Sequence, residues 1–284
     1  MDGMLDYAFN QRGLLAALLI GFVNGCFGGT IVLRRSSLFA GALSHTLFPG
    51  IAIGALIAGL NPVSALIGAC LTATLVGLGA HGIAAVSRLD RDAVLAVLFT
   101  AAFGGGLMIL ERLPVYVSLE SYLFGNILGV SDADLWFSFV AGALILSAMI
   151  LFRRPLLVYF FSPEVGPTEG VPVRAFECGL AARLIVAMIA SMQAVGVILT
   201  LGLLVAPPSI MLLYVDSPQK IFFGGGLIGA AVSIGAIFLS NGLNVQTGAL
   251  IVALLGLLFL FAFALSPRYG LRARLRRHRP PRHE

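Results

Sequence analysis

The sequence predicts an all-α, polytopic transmembrane bundle of about eight to nine spans. Three observations carry that prediction. Hydrophobic residues make up 59% of the 284-residue chain and charged residues only 11%, against about 25% charged in ordinary soluble domains. The mean hydropathy is +1.00, and the apolar residues fall into runs near the ~20 residues that cross a bilayer. The basic residues gather at alternate turns between those runs, the asymmetry that orients membrane proteins. No hydrophilic block is long enough for a separate soluble domain. Residues 1–266 are therefore expected to form a single transmembrane unit, and 267–284 a basic cytoplasmic tail.

Taken in order, MDGMLDYAFNQR carries Asp2 and Asp6 and lacks the positive region of a cleaved signal, so no cleavage is expected. A first span covers Gly13 to Leu33 and closes on Arg34-Arg35. A second runs from Ser37 to Gly59, and Asn61-Pro62 turns the chain into a third ending at Val86. A charged loop, Ser87 to Asp92, leads to a fourth span, Ala93 to Leu110. The long segment from Glu111 to Asp134 follows, then a fifth span, Leu135 to Phe152, closed by Arg153-Arg154-Pro155. The next segment, LVYFFSPEVGPTEGVPVR at 157–174, reads as a loop. Phe176 to Val215 holds either one long helix or two spans that break near Gln193 to Gly196. An eighth span ends near Leu239, Ser240 to Gly248 forms a polar turn, and a ninth ends at Leu265.

Nine spans place the N-terminus outside and the C-terminus on the inner side of the membrane. The outer segments then hold only Arg12 and Arg112. Arg34, Arg35, Arg88, Arg91, Arg153, Arg154, Arg174, Lys220 and the tail arginines fall inside. The net charge of +5 thus reads as topology and lipid contact, with no nucleic-acid partner. Cys26, Cys70 and Cys178 lie in or beside apolar runs without a C-x-x-C pair, as small buried hydrophobes do. Gly21, Gly25, Gly28 and Gly29 in span one, and Gly224-Gly225-Gly226 at the head of span eight, read as close helix packing.

The second span holds the informative chemistry. His45 stands in it, with Pro49 and Gly50 a turn later. An ionisable side chain in hydrocarbon is costly, so this one faces protein, water or a passenger. Two readings stay open: a transient ligand, or an imidazole hydrogen-bonded inside the bundle. Lys220 is the only lysine and no G-x-x-x-x-G precedes it, so a P-loop is absent. The chain is not an enzyme on this reading, and ATP would be hydrolysed by another polypeptide.

Four separated blocks carry a family resemblance. They are VLRRSSLFAGALSHTLFPGIAIG at 32–54, LESYLFGNILGVSDADL at 119–135, QAVGVILTLGLLVAPPS at 193–209 and TGALIVALLGLLFLFAFALSPRYGL at 247–271. In these blocks the chain resembles the integral-membrane permease subunits of ABC importers for zinc, manganese and related divalent metals. The resemblance implies a type II importer fold and a homodimer with a substrate path along its axis. It also implies a cytoplasmic ATP-binding-cassette dimer and an extracellular or periplasmic solute-binding protein. No cofactor is expected to be permanently bound, and a divalent metal ion is the implied cargo.

His45 matches the family's metal-binding imidazole, in a path where Ser44, Pro49 and Gln193 are further candidates. Gly41 stands where the family tends to place an aspartate, and Asn126 where its second block often has one. Both departures remove an oxygen-donor carboxylate. Asn24, Cys26 and Glu120 are the candidates to compensate. Glu111, Glu120, Asp132 and Asp134 line an expected outer vestibule or binding-protein dock, with a plain solvated rim as the alternative. The loop containing Ser162, Glu164, Val165, Gly166, Thr168 and Glu169 matches the position of the family's ATPase-coupling element. Two other classes stay open: an ATP-independent secondary transporter, and a permease of this fold for a metal chelate or other non-metal cargo.

Overall fold

In the computed structural model the described residues are 8–59, 62–112, 125, 127–161 and 173–267. Among them are ten α-helices, one 3-10 turn and no strand. The helices are α1 (Ala8–Leu33), α2 (Ser37–Ala58), α3 (Pro62–Val86), α4 (Arg91–Leu110), α5 (Asp132–Leu151), α6 (Arg153–Phe161), α7 (Val173–Val195), α8 (Val197–Leu212), α9 (Pro218–Leu243) and α10 (Thr247–Leu265). The 3-10 turn, Ile127–Gly129, precedes α5. Seven of the described helices are long and apolar enough to cross a membrane. The apolar stretch Ala182–Met192 of α7 and the whole of α8 are shorter apolar segments.

Local chemistry sets the helix ends. Arg35 sits in the left-handed region at φ 55. Ser36 N–H donates to Ile31 O at 2.9 Å and Arg35 N–H to Val32 O at 3.0 Å, the paired bonds of a Schellman stop. This ends α1 and turns the chain directly into α2. Ser131 and Asp134 form a reciprocal capping box at the start of α5. Gly196, at φ 80, parts α7 from α8, within the break expected between Gln193 and Gly196. Only a residue without Cβ takes that conformation cheaply.

Two expectations are corrected. The segment after Phe152 is helical as far as Phe161. Pro155 falls in the first turn of α6, where its missing N–H goes unused, so it does not stop the helix. The eighth span runs on to Leu243 and stops at Asn244, a left-handed C-cap at φ 58, so the polar turn shrinks to 244–246. Asn tolerates that conformation better than most residues.

The helices form two closely knit units. In the larger, α1 packs extensively on α9 and also on α8 and α5, and α10 closes against α8 and α9. A Cβ on Gly25 or Gly21 would strike the backbone of Gly225 or Gly229, and the reverse holds for the same pairs. The two glycine stripes seen in the sequence therefore meet each other. In the smaller unit α2, α3 and α4 pack together, with Gly50 on the backbone of Gly68 and Gly106 against Pro49. Between the units contact is thinner. It runs through side chains, with Leu43, Leu47, Ala69 and Ala73 on one side and Leu184, Ala187, Met188 and Met192 on the other.

The exposed faces of α5 and α10 are bulky, with Trp136, Phe139 and Leu144 on one and Leu257, Leu260 and Phe261 on the other. Side chains of that kind face lipid, while small residues seek other helices.

The glycine contact is testable. Gly25→Val is expected to destabilise the protein by more than the ~1–3 kcal/mol of ordinary overpacking, because backbone must move. Gly235→Ala, with open space around it, is expected to raise stability slightly, by about 1 kcal/mol or less. Thermal unfolding of the purified chain in detergent compares the two.

Candidate functional site

The helical repeat divides α2 between two neighbours. His45 faces α4. Its ring stacks on Phe99 at 5.7 Å and 24° and meets the edge of Phe103 at 6.0 Å and 78°. Phe48 closes the same cluster, 5.4 Å from Phe103. Pro49, one turn on, is buried against Gly106 of α4. The imidazole itself is half-buried. Among the described residues it has ring contacts and no hydrogen-bond partner. Of the two readings left open for His45, the one needing a hydrogen bond within the bundle finds no such bond among these residues.

Ser44 points the other way. It lines a narrow cleft with Leu47 of α2, Met188 and Met192 of α7, and Val197 and Thr200 of α8. Its hydroxyl donates to Gly41 O at 2.7 Å. The structure therefore brings His45 and Pro49 together on one face of α2 and turns Ser44 to another. Gln193 lies in α7, but its side chain is outside what the structure describes, as are Glu120, Asn126 and the loop from Ser162 through Glu164, Val165, Gly166, Thr168 and Glu169.

Gly41 shares the helix face of His45, one turn before it. A Cβ there would meet only the tip of Leu201, at 3.8 Å. The missing carboxylate thus leaves space, and close packing does not demand glycine. Two of the proposed substitutes are committed elsewhere. Asn24 is fully buried and exchanges hydrogen bonds with Ser191 of α7, at 2.8 Å and 3.1 Å. Cys26 is buried against Gly226 of α9. Among the described residues no three His, Cys, Asp or Glu side chains gather closely enough to hold a metal ion. The described part of one copy supplies a single imidazole at this level.

The acidic candidates divide as well. Glu111 is exposed at the end of α4. Asp132 pairs with Arg12 at 2.9 Å, both largely exposed, and ties α5 to α1. Asp134 is the capping-box residue of α5. The same end of the bundle holds Gly125 against the Val195–Gly196 junction, with Gln246 Nε2 donating to Gly125 O at 3.4 Å.

Three features escaped the sequence reading. The Phe99–Phe103 shelf has only a 4-residue spacing in an apolar run as its signal. Met188 and Met192 have the same spacing. Arg183 is the one basic residue inside the 176–215 run; its Nε donates to Gly179 O at 3.0 Å, and its buried Nη1 has no partner among the described residues.

This is a polytopic helical membrane protein in which His45 lies in a small unit packed loosely on a larger one. The chain belongs to the ABC 3 transport family, whose model matches residues 6–266. It is 33% identical to the manganese transport system membrane protein MntC of Halalkalibacterium halodurans, over 96% of this chain and 92% of the relative. It is 30% identical to a probable iron transport system membrane protein of Haemophilus influenzae, over 95% and 94% of the two chains. The solved structure of PsaBC from Streptococcus pneumoniae in complex with Fab superposes with a TM-score of 0.85, at 30% identity over 94% of this chain and 95% of that one. The chain is accordingly an ABC-transporter permease, a membrane subunit that hydrolyses nothing itself.

The room around Gly41 makes a prediction. Gly41→Asp is expected to fold, with a thermal midpoint close to that of the unchanged chain. Gly54→Asp is expected not to fold, since a Cβ there strikes the backbone at Ser64. Size-exclusion profiles of the purified variants distinguish the two.

Proposed function

We propose that this chain is the permease of an ATP-driven importer of a divalent transition metal: zinc, manganese or iron. The observation that carries the reading is His45, half-buried, stacked on Phe99 and Phe103, with no described hydrogen bond to hold it. A neutral imidazole is a good ligand for such ions. The names of the relatives, manganese and iron transport proteins, support the same cargo class.

The chain works as a homodimer in a bacterial inner membrane, N-terminus outside. Two copies bring two imidazoles to the axis. A site with so few ligands holds the ion weakly, and a path must release what it binds. A solute-binding protein docks at the outer end, where Glu111 offers an exposed carboxylate. Asp132 and Asp134 shape that rim through their bonds to Arg12 and Ser131. An ATPase dimer presses on the loop of Glu164 and Glu169. Its stroke alternates access by moving the α2–α4 unit, which the thin side-chain contact leaves freest to move.

A second reading keeps the fold and changes the cargo to a metal chelate. Gly41 favours it, because the space beside His45 is open and carries no carboxylate.

The test is uptake by proteoliposomes holding this chain with its ATPase and binding protein, offered Zn(II), Mn(II) or Fe(II). One metal is expected to enter and to stimulate ATP hydrolysis. His45→Ala is expected to lower uptake about tenfold or more, in the range of lost metal-site groups, with the complex still assembled. Unchanged uptake in that variant removes the role of His45. Basal hydrolysis that answers to none of the three metals moves the cargo to the chelate.

A further inference from the structure

The cleft between the two units carries chemistry that the His45 shelf does not use. It is lined by Ser44 and Leu47 from the smaller unit and by Met188, Met192, Val197 and Thr200 from the larger. The polar groups are two hydroxyls and two thioethers. The hydroxyl hydrogens are already committed, Ser44 donating to Gly41 O at 2.7 Å and Thr200 to Gly196 O at 2.7 Å. A thioether has no proton to give. To a guest, therefore, these four residues offer lone pairs and no donor hydrogens. Such a lining suits a cation and repels an anion.

Position adds to the chemistry. Met188 and Met192 are one turn apart on α7, so their side chains rise on one face. Thr200 is one turn into α8, past the Gly196 break. Ser44 is the residue next to His45. The cleft lies on the side-chain seam between the units, the contact that parts if the α2–α4 unit moves. In this structure it is too narrow to hold a water molecule, so a guest enters only when the seam opens.

We propose that Ser44, Met188, Met192 and Thr200 form a transit site for a borderline-to-soft transition-metal cation, occupied when the seam opens. Thioether sulfur selects for softness. Mg(II) and Ca(II), which demand oxygen and hold their water, gain little from it. The four donors are uncharged, so binding stays weak enough for onward passage. The site complements the missing carboxylate at Gly41: no charged oxygen stands one turn before His45, while soft sulfur lines the neighbouring cleft. This deepens the importer reading and rests on it for its purpose.

The test uses the purified full-length chain in lipid nanodiscs, grown with selenomethionine and loaded with one equivalent of Ag(I), a redox-stable soft probe. X-ray absorption at the silver edge separates selenium neighbours from the sulfur of Cys26, Cys70 and Cys178. Silver–selenium scattering is expected in the unchanged chain and in M108L/M149L/M211L, and is expected to be lost in M188L/M192L. Met→Leu conserves volume and is well tolerated in packed interiors. Silver bound with no selenium neighbour in the unchanged chain overturns the site, whether or not any variant folds. Selenium scattering that persists in M188L/M192L overturns it equally. The readout needs no transport, so a complex that imports no metal while silver–selenium scattering holds counts against the importer reading alone.

Discussion

The contact of α1 with α9, backbone against backbone, is the constraint on which the rest depends. Helices in a bilayer gain nothing from leaving water, because the surrounding lipid is as apolar as they are. They associate through close van der Waals approach, and Gly21, Gly25, Gly225 and Gly229 allow the closest approach available. With α1 fixed on α9, its remaining faces receive α8 and α5. Its end is a Schellman turn at Arg35, which leaves no slack before α2 begins. The link by which α1 passes into the smaller unit is therefore three residues, Arg34, Arg35 and Ser36.

The difference between the two kinds of contact is physical. Where glycines meet, any relative motion drives backbone into backbone, so α1 and α9 move together, as do α2 and α3. Across the seam Leu43 and Leu47 lie against Met188 and Met192. Those side chains can change rotamer and slide, and methionine is the most adaptable of them. A loose seam beside rigid units is what a rocking transporter needs. It also explains why His45 takes its ring contacts from Phe99 and Phe103 within its own unit. In the proposed movement the imidazole would travel with its support and keep its orientation.

The bundle was legible in the sequence because hydrocarbon permits so few solutions. Uninterrupted apolar runs must be helices there, and the break at Gly196 showed as a Gly in the middle of a stretch too long for one span. The end of α9 was misread because Ser240 and Asn241 look like a turn, yet a helix carries Ser easily when it bonds back to its own backbone, as Ser240 does to Ile237 O at 3.1 Å. The helix within 153–161 was hidden by Pro155, which reads as a breaker unless it falls in the first turn. The site was legible only in part. His45 stands out in any hydropathy reading, but Phe99 and Phe103 are indistinguishable from lipid-facing residues until α4 is laid against α2. Asn24 looked like a spare donor for the same reason: its bond to Ser191 joins residues 167 positions apart.

Gly41 is where these lines meet. Glycine in a helix interior costs roughly 1 kcal/mol relative to alanine, and at Gly21 or Gly25 the close approach of another backbone offsets it. At Gly41 nothing does, since only the tip of Leu201 is within reach. The position is open toward the face of His45, and its carbonyl accepts the hydrogen of Ser44. A carboxylate there would give the imidazole a charged neighbour and bind a divalent ion more tightly. On the proposed function, its absence would leave a wider, neutral path at the level of His45. An ion would sit in a shallower well there, and a larger or partly dressed cargo would have room to pass.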